Sequence, residues 1–168
     1  RGVAEYLIAP VQPMQVMESI SNLYNDPGAD PVGHIFAFIG AKGGIGSSTV
    51  CHNVSWCVSE MLKSSVVIAD LDLAFGTAGL DFNQDPPQGV ADAVFSPERI
   101  DTAFVDRLLS KCSDNLSLLA APATLERVYD FGDEAFDSIF DSLRATVPSI
   151  VVDLPHQWAG WTRRTLLA

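Results

Sequence analysis

From His34 onward, short apolar runs alternate with longer stretches whose apolar residues recur at helical spacing, which predicts strand and helix in repeated order. His34–Ile39 is nearly continuous in apolar character, the pattern of a strand covered on both faces. A glycine-rich turn follows. Then comes a helix from about Ser47 to Leu62, whose Val50, Val54, Cys57, Val58, Met61 and Leu62 mark the expected buried stripe. Ser65–Ala69 reads as the next buried strand, ending in Asp70-Leu71-Asp72. A long loop leads to a short helix near Val90–Phe95, and Pro97 opens another helix running through Phe104, Val105, Leu108 and Leu109. Leu116–Ala120 is a third strand. Asp133–Ala145 is a helix with Phe136, Ile139, Phe140 and Leu143 on one face. Ser149–Val152 is a fourth strand capped by Asp153, and Trp158–Ala168 begins a further helix. The order predicts a doubly wound, mostly parallel α/β sheet over residues 34–168.

Residues 1–25 differ. They read as a short strand (Val3–Ile8), a proline-marked loop and a helix from about Met14 to Leu23, too little to bury a core alone. Residues 26–33 carry Asn25-Asp26-Pro27-Gly28-Ala29-Asp30-Pro31 chemistry and suit a linker. The opening on Arg1 and the close inside a helix suggest a piece of a longer protein, with a sheet continuing past Ala168.

Composition narrows the function. An apolar fraction of 48% with 18% charged residues is globular, and no apolar run approaches the ~18 residues of a membrane-spanning helix. A net charge of −11 opposes general attraction to nucleic-acid phosphates or anionic lipid, so no nucleic-acid partner is expected. Membrane association is expected to be indirect, or to come from chain beyond Ala168. Cys51, Cys57 and Cys112 form neither a CxxC pair nor an even set, which fits a reducing cytoplasm. Cys51 and Cys57 read as small buried helix residues.

The candidate chemistry lies in Lys42-Gly43-Gly44-Ile45-Gly46-Ser47-Ser48-Thr49. Glycines between a strand and a helix allow successive N–H groups to turn toward one anion, and the helix start adds its own free N–H groups. Ser48 sits where a hydroxyl can ligate Mg²⁺, and Thr49 where one can reach a phosphate oxygen. Asp70, Asp72 and Asp153 follow the carboxyl ends of strands, where ligands of open α/β sheets bind. Each alone equally suits a loop cap; three around one phosphate loop favour a metal site. His34 reads as a strand-edge residue, and His52 as a helix-surface residue without acidic partners. His156 reads as a coupling residue rather than a base. Trp158 and Trp161 read as packing residues, and Arg163 and Arg164 as a solvated helix end.

The loop resembles the deviant Walker A motif of the MinD/ParA family, K-G-G-x-G-K-[ST]-[ST], within the P-loop NTPases. The resemblance implies ATP and Mg²⁺ as cofactors and a nucleotide-sandwich homodimer in which Lys42 reaches the partner's phosphates. It makes Ser48 a Mg²⁺ ligand, Asp72 the residue positioning the attacking water, Asp70 the strand-end aspartate before it, and Asp153 the Mg²⁺-associated Walker B residue. The second lysine of the motif is replaced by Ser47. A serine offers a hydrogen bond without charge, so hydrolysis is expected to be slow or absent.

That substitution, with Asp81-Phe82-Asn83-Gln84-Asp85-Pro86-Pro87-Gln88-Gly89-Val90-Ala91-Asp92-Ala93 and Asp153-Leu154-Pro155-His156 before Trp161-Thr162-Arg163-Arg164, resembles the CpaE/TadZ branch. Gly2-Val3-Ala4-Glu5-Tyr6-Leu7-Ile8-Ala9-Pro10 resembles the last strand of a receiver domain, with Ala9 in place of the usual lysine and a cis Ala9–Pro10 bond as a corollary. The branch implies an ATP-binding scaffold for Flp (tight adherence) pilus secretion components, cytoplasmic, at a cell pole or the inner-membrane periphery. The alternatives are an active MinD/ParA-type ATPase, and a receiver-governed module with a vestigial nucleotide site.

Overall fold

A computed structural model describes residues 33–122, 124 and 129–168, all within the compact unit Val32–Ala168. The strand, helix, most of the linker and the Ala9–Pro10 bond expected over residues 1–32 lie outside the described residues.

The described residues build a five-stranded sheet in the order β1-β5-β2-β4-β3. Its strands are β1 (His34–Ile39), β2 (Val66–Asp70), β3 (Leu109–Lys111), β4 (Leu116–Leu119) and β5 (Ser149–Leu154). β1, β5, β2 and β4 run parallel, and only β3 is antiparallel, against β4. The β-branched runs of β2 and β5 suit such a core, and all of β2 is buried. Side chains alternate between faces. Val67, Ala69, Ile150 and Val152 meet Phe136 and, on α5 (Asp137–Arg144), Ile139, Phe140 and Leu143, together with α3 (Val90–Val94), α4 (Thr102–Leu108) and Trp161 of α6 (Gly160–Leu167). Val66, Ile68, Val151, Leu116 and Leu118 face Cys51 of α1 (Ser47–Met61) and Ala78 of the four-residue α2 (Ala78–Asp81). Helices on both faces of a mostly parallel sheet are the doubly wound arrangement expected from the sequence. The buried face of α5 is also the expected one.

Several local expectations need correction. β3 occupies Leu109–Lys111, where a continuing helix was expected, α2 lies inside the expected loop, and β5 runs through Asp153 to Leu154. β1 is an edge strand of this sheet, and Phe36 is 51% exposed rather than covered. Trp161 packs against Phe136 at 5.1 Å between ring centroids, but Trp158 is exposed.

The largest difference concerns α1. Its buried face is Cys51, His52, Ser55 and Ser59, while Val50, Val54, Cys57 and Met61 point outward. Small side chains let the helix approach the sheet closely. Their hydroxyls are satisfied within the helix: Ser55 Oγ donates to the Cys51 carbonyl at 2.8 Å, and Ser59 Oγ to the Trp56 carbonyl at 2.9 Å. A hydrophobicity count favours the wrong face because it scores these serines as polar.

Two substitutions discriminate between the faces. Ser55→Leu is expected to cost about 1–3 kcal/mol by overpacking. Met61→Ser on the outer face is expected to stay within about 0.5 kcal/mol of the parent. Urea unfolding followed by circular dichroism measures both, and equal costs would restore the opposite orientation.

Candidate functional site: a glycine cradle beside two buried carboxylates

The parallel strands β1, β2 and β5 end on the same side of the molecule, so the segments after them converge there. After β1 the chain turns through Gly44 (φ 73°) and Gly46 (φ 91°), left-handed torsions that an L side chain resists. Gly46 caps α1 without any side-chain hydrogen bond, and the helix ladder begins with Val50 N–H donating to its carbonyl at 3.0 Å. The N–H groups of Ser47, Ser48 and Thr49 therefore precede the ladder. A Cβ placed on Gly43, Gly44 or Gly46 would meet nothing within 4 Å. The loop thus presents bare backbone around open space at a fifteen-residue helix start, a shape and polarity that fit a phosphate group. Lys42 and Ile45 are exposed on its rim, Thr49 is exposed, and Ser47 and Ser48 are partly buried.

Asp70 and Asp153 are register partners on adjacent strands, 0% and 1% exposed. Asp70 is committed to its own loop: Oδ1 accepts from Asp72 N–H and Oδ2 from Ala78 N–H, each at 3.1 Å. A Cβ on Gly76 would collide with the same carboxylate. Burial, only partly opposed by these two bonds, and the neighbouring Asp153 push the Asp70 pKa up to about 7. Asp153 Oδ1 is buried without a hydrogen-bond partner. Asp72 turns its carboxylate to the Phe75 N–H at 3.1 Å and so caps the turn that follows β2. His156, after β5, donates from Nδ1 to the Gly40 carbonyl at 2.9 Å, tying that segment to the base of the phosphate loop.

The arrangement brings Asp70, Asp72 and Asp153 together behind the loop, with Asp153 Oδ1 the carboxylate oxygen left open. Among the described residues, no three His, Cys, Asp or Glu side chains form a complete metal cage. Mg²⁺ is ordinarily held by one or two carboxylates with phosphate oxygens and several waters, and Asp153 Oδ1 is the buried oxygen here without a hydrogen-bond partner.

His52 is a correction. The sequence reading put it on the helix surface without acidic partners, but it is 4% exposed. Its Nδ1 lies 2.7 Å from Asp81 Oδ2, and its Nε2 lies 3.5 Å from Asp153 Oδ2. Burial works against charging the imidazole, but the carboxylates of Asp153 and Asp81 outweigh it and hold its pKa above the ordinary value. No motif spacing reveals this triplet, because its members come from two separate helices and a distant strand. Cys51, directly before it, is an inert thiol: burial first, then the charges of Asp153 and Asp70, push its pKa far up. Cys57, expected inside, is exposed. On α6, Arg164 pairs with Asp137 at 2.8 Å, on the solvated helix as expected.

This combination of sheet order, phosphate loop and strand-end carboxylates is the fold of the ParA/MinD-like P-loop ATPases. Three solved structures make the likeness concrete. A ParA family ATPase from Chlorobium tepidum TLS superposes with TM-score 0.71 at 24% identity, over 82% of this chain and 57% of that one. The septum site-determining protein MinD from Pyrococcus horikoshii OT3, complexed with Mg-ADP, gives 0.68 at 20% identity, over 80% and 54%. Cobyrinic acid a,c-diamide synthase from Mycobacterium smegmatis, with a bound ATP analogue and magnesium, gives 0.63 at 19% identity, over 80% and 56%. The chain therefore spans a little over half the length of these structures. No family model and no curated protein sequence matches it.

Asp70 makes the stability of the cation-free protein depend on pH. Its folded pKa of about 7 lies above the ordinary 3.8, so the unfolded chain ionises first as pH rises. The resulting cost is absent below 3.8, grows through the interval and is complete above about 7, where it is on the order of 4 kcal/mol. Asp70→Asn removes this cost but loses one accepted hydrogen bond, worth about 1 kcal/mol. The melting temperature of Asp70→Asn minus that of the parent should therefore rise from about pH 4 to about pH 8. A difference independent of pH would show that Asp70 is not held protonated by its surroundings.

Proposed function

We propose that this chain binds ATP with Mg²⁺ and works as a nucleotide-dependent dimeric scaffold of the CpaE/TadZ kind, assembling components of a Flp pilus secretion machine. The observation that carries the nucleotide reading is a bare glycine cradle at the same end of the sheet as a buried carboxylate oxygen that has no hydrogen-bond partner. The cradle offers N–H groups to phosphate oxygens, and Asp153 with Ser48 offers oxygen ligands to a cation. Bound Mg²⁺ would offset charge between the β- and γ-phosphates. The ATP analogue with magnesium and the Mg-ADP bound in two of the fold neighbours support the same ligands.

The scaffold reading rests on Ser47. A fixed ammonium at that point offsets charge as it develops during phosphoryl transfer, and a hydroxyl does not. Lys42, the loop's remaining cation, lies exposed on the rim and would face outward to a second subunit. Ile45, Phe75, Leu80 and Trp158 are 55%, 74%, 81% and 72% exposed in the segments that follow β1, β2 and β5. Large apolar side chains around one end of a sheet favour a face that becomes covered, and in this reading a second copy covers it. The pilus role, a cytoplasmic place near a pole or the inner membrane, and a receiver-like domain ending at residues 1–25 with a linker over 26–33 rest on the resemblance of the quoted motifs.

The test is calorimetry of ATP·Mg²⁺ binding together with dimer mass and phosphate release. The parent is expected to bind, to dimerise and to release negligible phosphate. Lys42→Ala should retain nucleotide but lose roughly 10- to 100-fold in dimer affinity, the range for a charge-assisted hydrogen bond. Ser47→Lys should raise turnover. A parent that hydrolyses as fast as Ser47→Lys would make it an active ATPase, and a parent that binds no nucleotide would leave the site vestigial.

A further inference from the structure

His52 is a buried polar side chain that the nucleotide reading leaves without a role, and its position links two parts of the site. One ring nitrogen approaches Asp153 and the other holds Asp81, the last residue of α2. The first residue of the same short helix, Ala78, is held through its N–H by Asp70. Residues 78–81 are therefore gripped at both ends by groups that trace back to two register-paired carboxylates, directly through Asp70 and by way of His52 from Asp153. Between the grips stands Leu80, 81% exposed. Beside them Phe82 meets the His52 ring edge-on at 5.7 Å and stacks on Trp56 at 6.5 Å.

We propose that His52 is a positioning residue that couples a Mg²⁺–phosphate complex at Asp153 to the placement of residues 78–82. The proposal rests on the nucleotide reading above and deepens it by naming the element that reads the site. A cation ligated by Asp153 Oδ1 draws on the charge of the same carboxylate whose Oδ2 lies 3.5 Å from His52 Nε2. Its binding changes the pull on the ring, and the 2.7 Å contact with Asp81 passes that change to α2 and Leu80. Two sites that bias one element are coupled reciprocally, so whatever seats Leu80 also changes affinity for the Mg²⁺–nucleotide complex. This gives the apolar face a means of differing between empty and loaded protein.

Trp56 is a built-in reporter because it stacks on Phe82. The experiment labels the full chain with 5-fluorotryptophan and assigns the Trp56 fluorine signal with Trp56→Phe. The probe is Mg²⁺·ADP, with ADP alone as the comparison and binding followed in parallel by calorimetry. In the parent, Mg²⁺·ADP is expected to shift the Trp56 signal and ADP alone to shift it far less. Asp81→Asn, a change at a half-exposed carboxylate, is expected to keep binding Mg²⁺·ADP while losing at least half of the shift. His52→Gln should behave like Asp81→Asn. Mg²⁺·ADP binding with an unmoved Trp56 signal, or a shift of equal size in Asp81→Asn and the parent, overturns the coupling and leaves the nucleotide site standing. Failure of the parent to bind Mg²⁺·ADP overturns both.

Discussion

Two carboxylates buried side by side at the ends of β2 and β5 are the constraint around which this site is arranged. Taking an isolated carboxylate out of water costs several kcal/mol even after relaxation, and a like charge alongside raises the cost. The protein answers differently at each. Asp70 receives two backbone N–H groups from its own loop and is pushed toward protonation at neutral pH. Asp153 keeps one oxygen unpartnered and shares the other with the edge of a histidine. Much of the surrounding structure follows from those answers. The turn after β2 coils back to bring the Asp72 and Ala78 amides to Asp70. Gly76 must lack a side chain beside that carboxylate, and α1 must carry His52 on its sheet-facing side.

In the proposed nucleotide reading, the same constraint makes the glycine loop incomplete as an isolated phosphate site. Phosphate brings more negative charge to a region that already holds two buried acids, in a chain of net charge −11. Backbone N–H groups and a helix dipole offer only partial charges. A divalent cation reconciles the two, because it can take phosphate oxygens from one side and the open Asp153 oxygen from the other.

Legibility in the sequence tracked how local each feature is. The glycine cradle was readable because its cause lies in a few consecutive residues. The parallel sheet was readable because buried strands are continuous apolar runs. The face of α1 was not, since serines that bond to their own helix carbonyls pack as small apolar residues while counting as polar. β3 was missed because Leu109–Lys111 is three residues long and continues an apolar helix period without a break. His52 was missed for the opposite reason to the cradle. Its partners Asp81 and Asp153 lie 29 and 101 positions away, and only the pairing of β2 with β5 and the packing of α1 over them assemble the group.

In the proposed reading, Ser47 in place of the motif's second lysine alters more than the rate of hydrolysis. A lysine in the loop's second half would answer phosphate charge from within one subunit and leave each copy self-sufficient. With a serine there, the loop's own cation is Lys42, which stands exposed on a flexible stem at the rim, beside Ile45 and on the same end of the sheet as Phe75, Leu80 and Trp158. An ammonium so placed has little to hold it against its own loop and free reach outward, and the apolar side chains around it favour exclusion of water from that reach. Low dielectric strengthens a charge-assisted bond to phosphate far beyond its value in solvent. In the proposed reading the loop is weakest as a lone binding site and strongest when a second surface closes over it, the electrostatic logic of a clasp rather than of an engine.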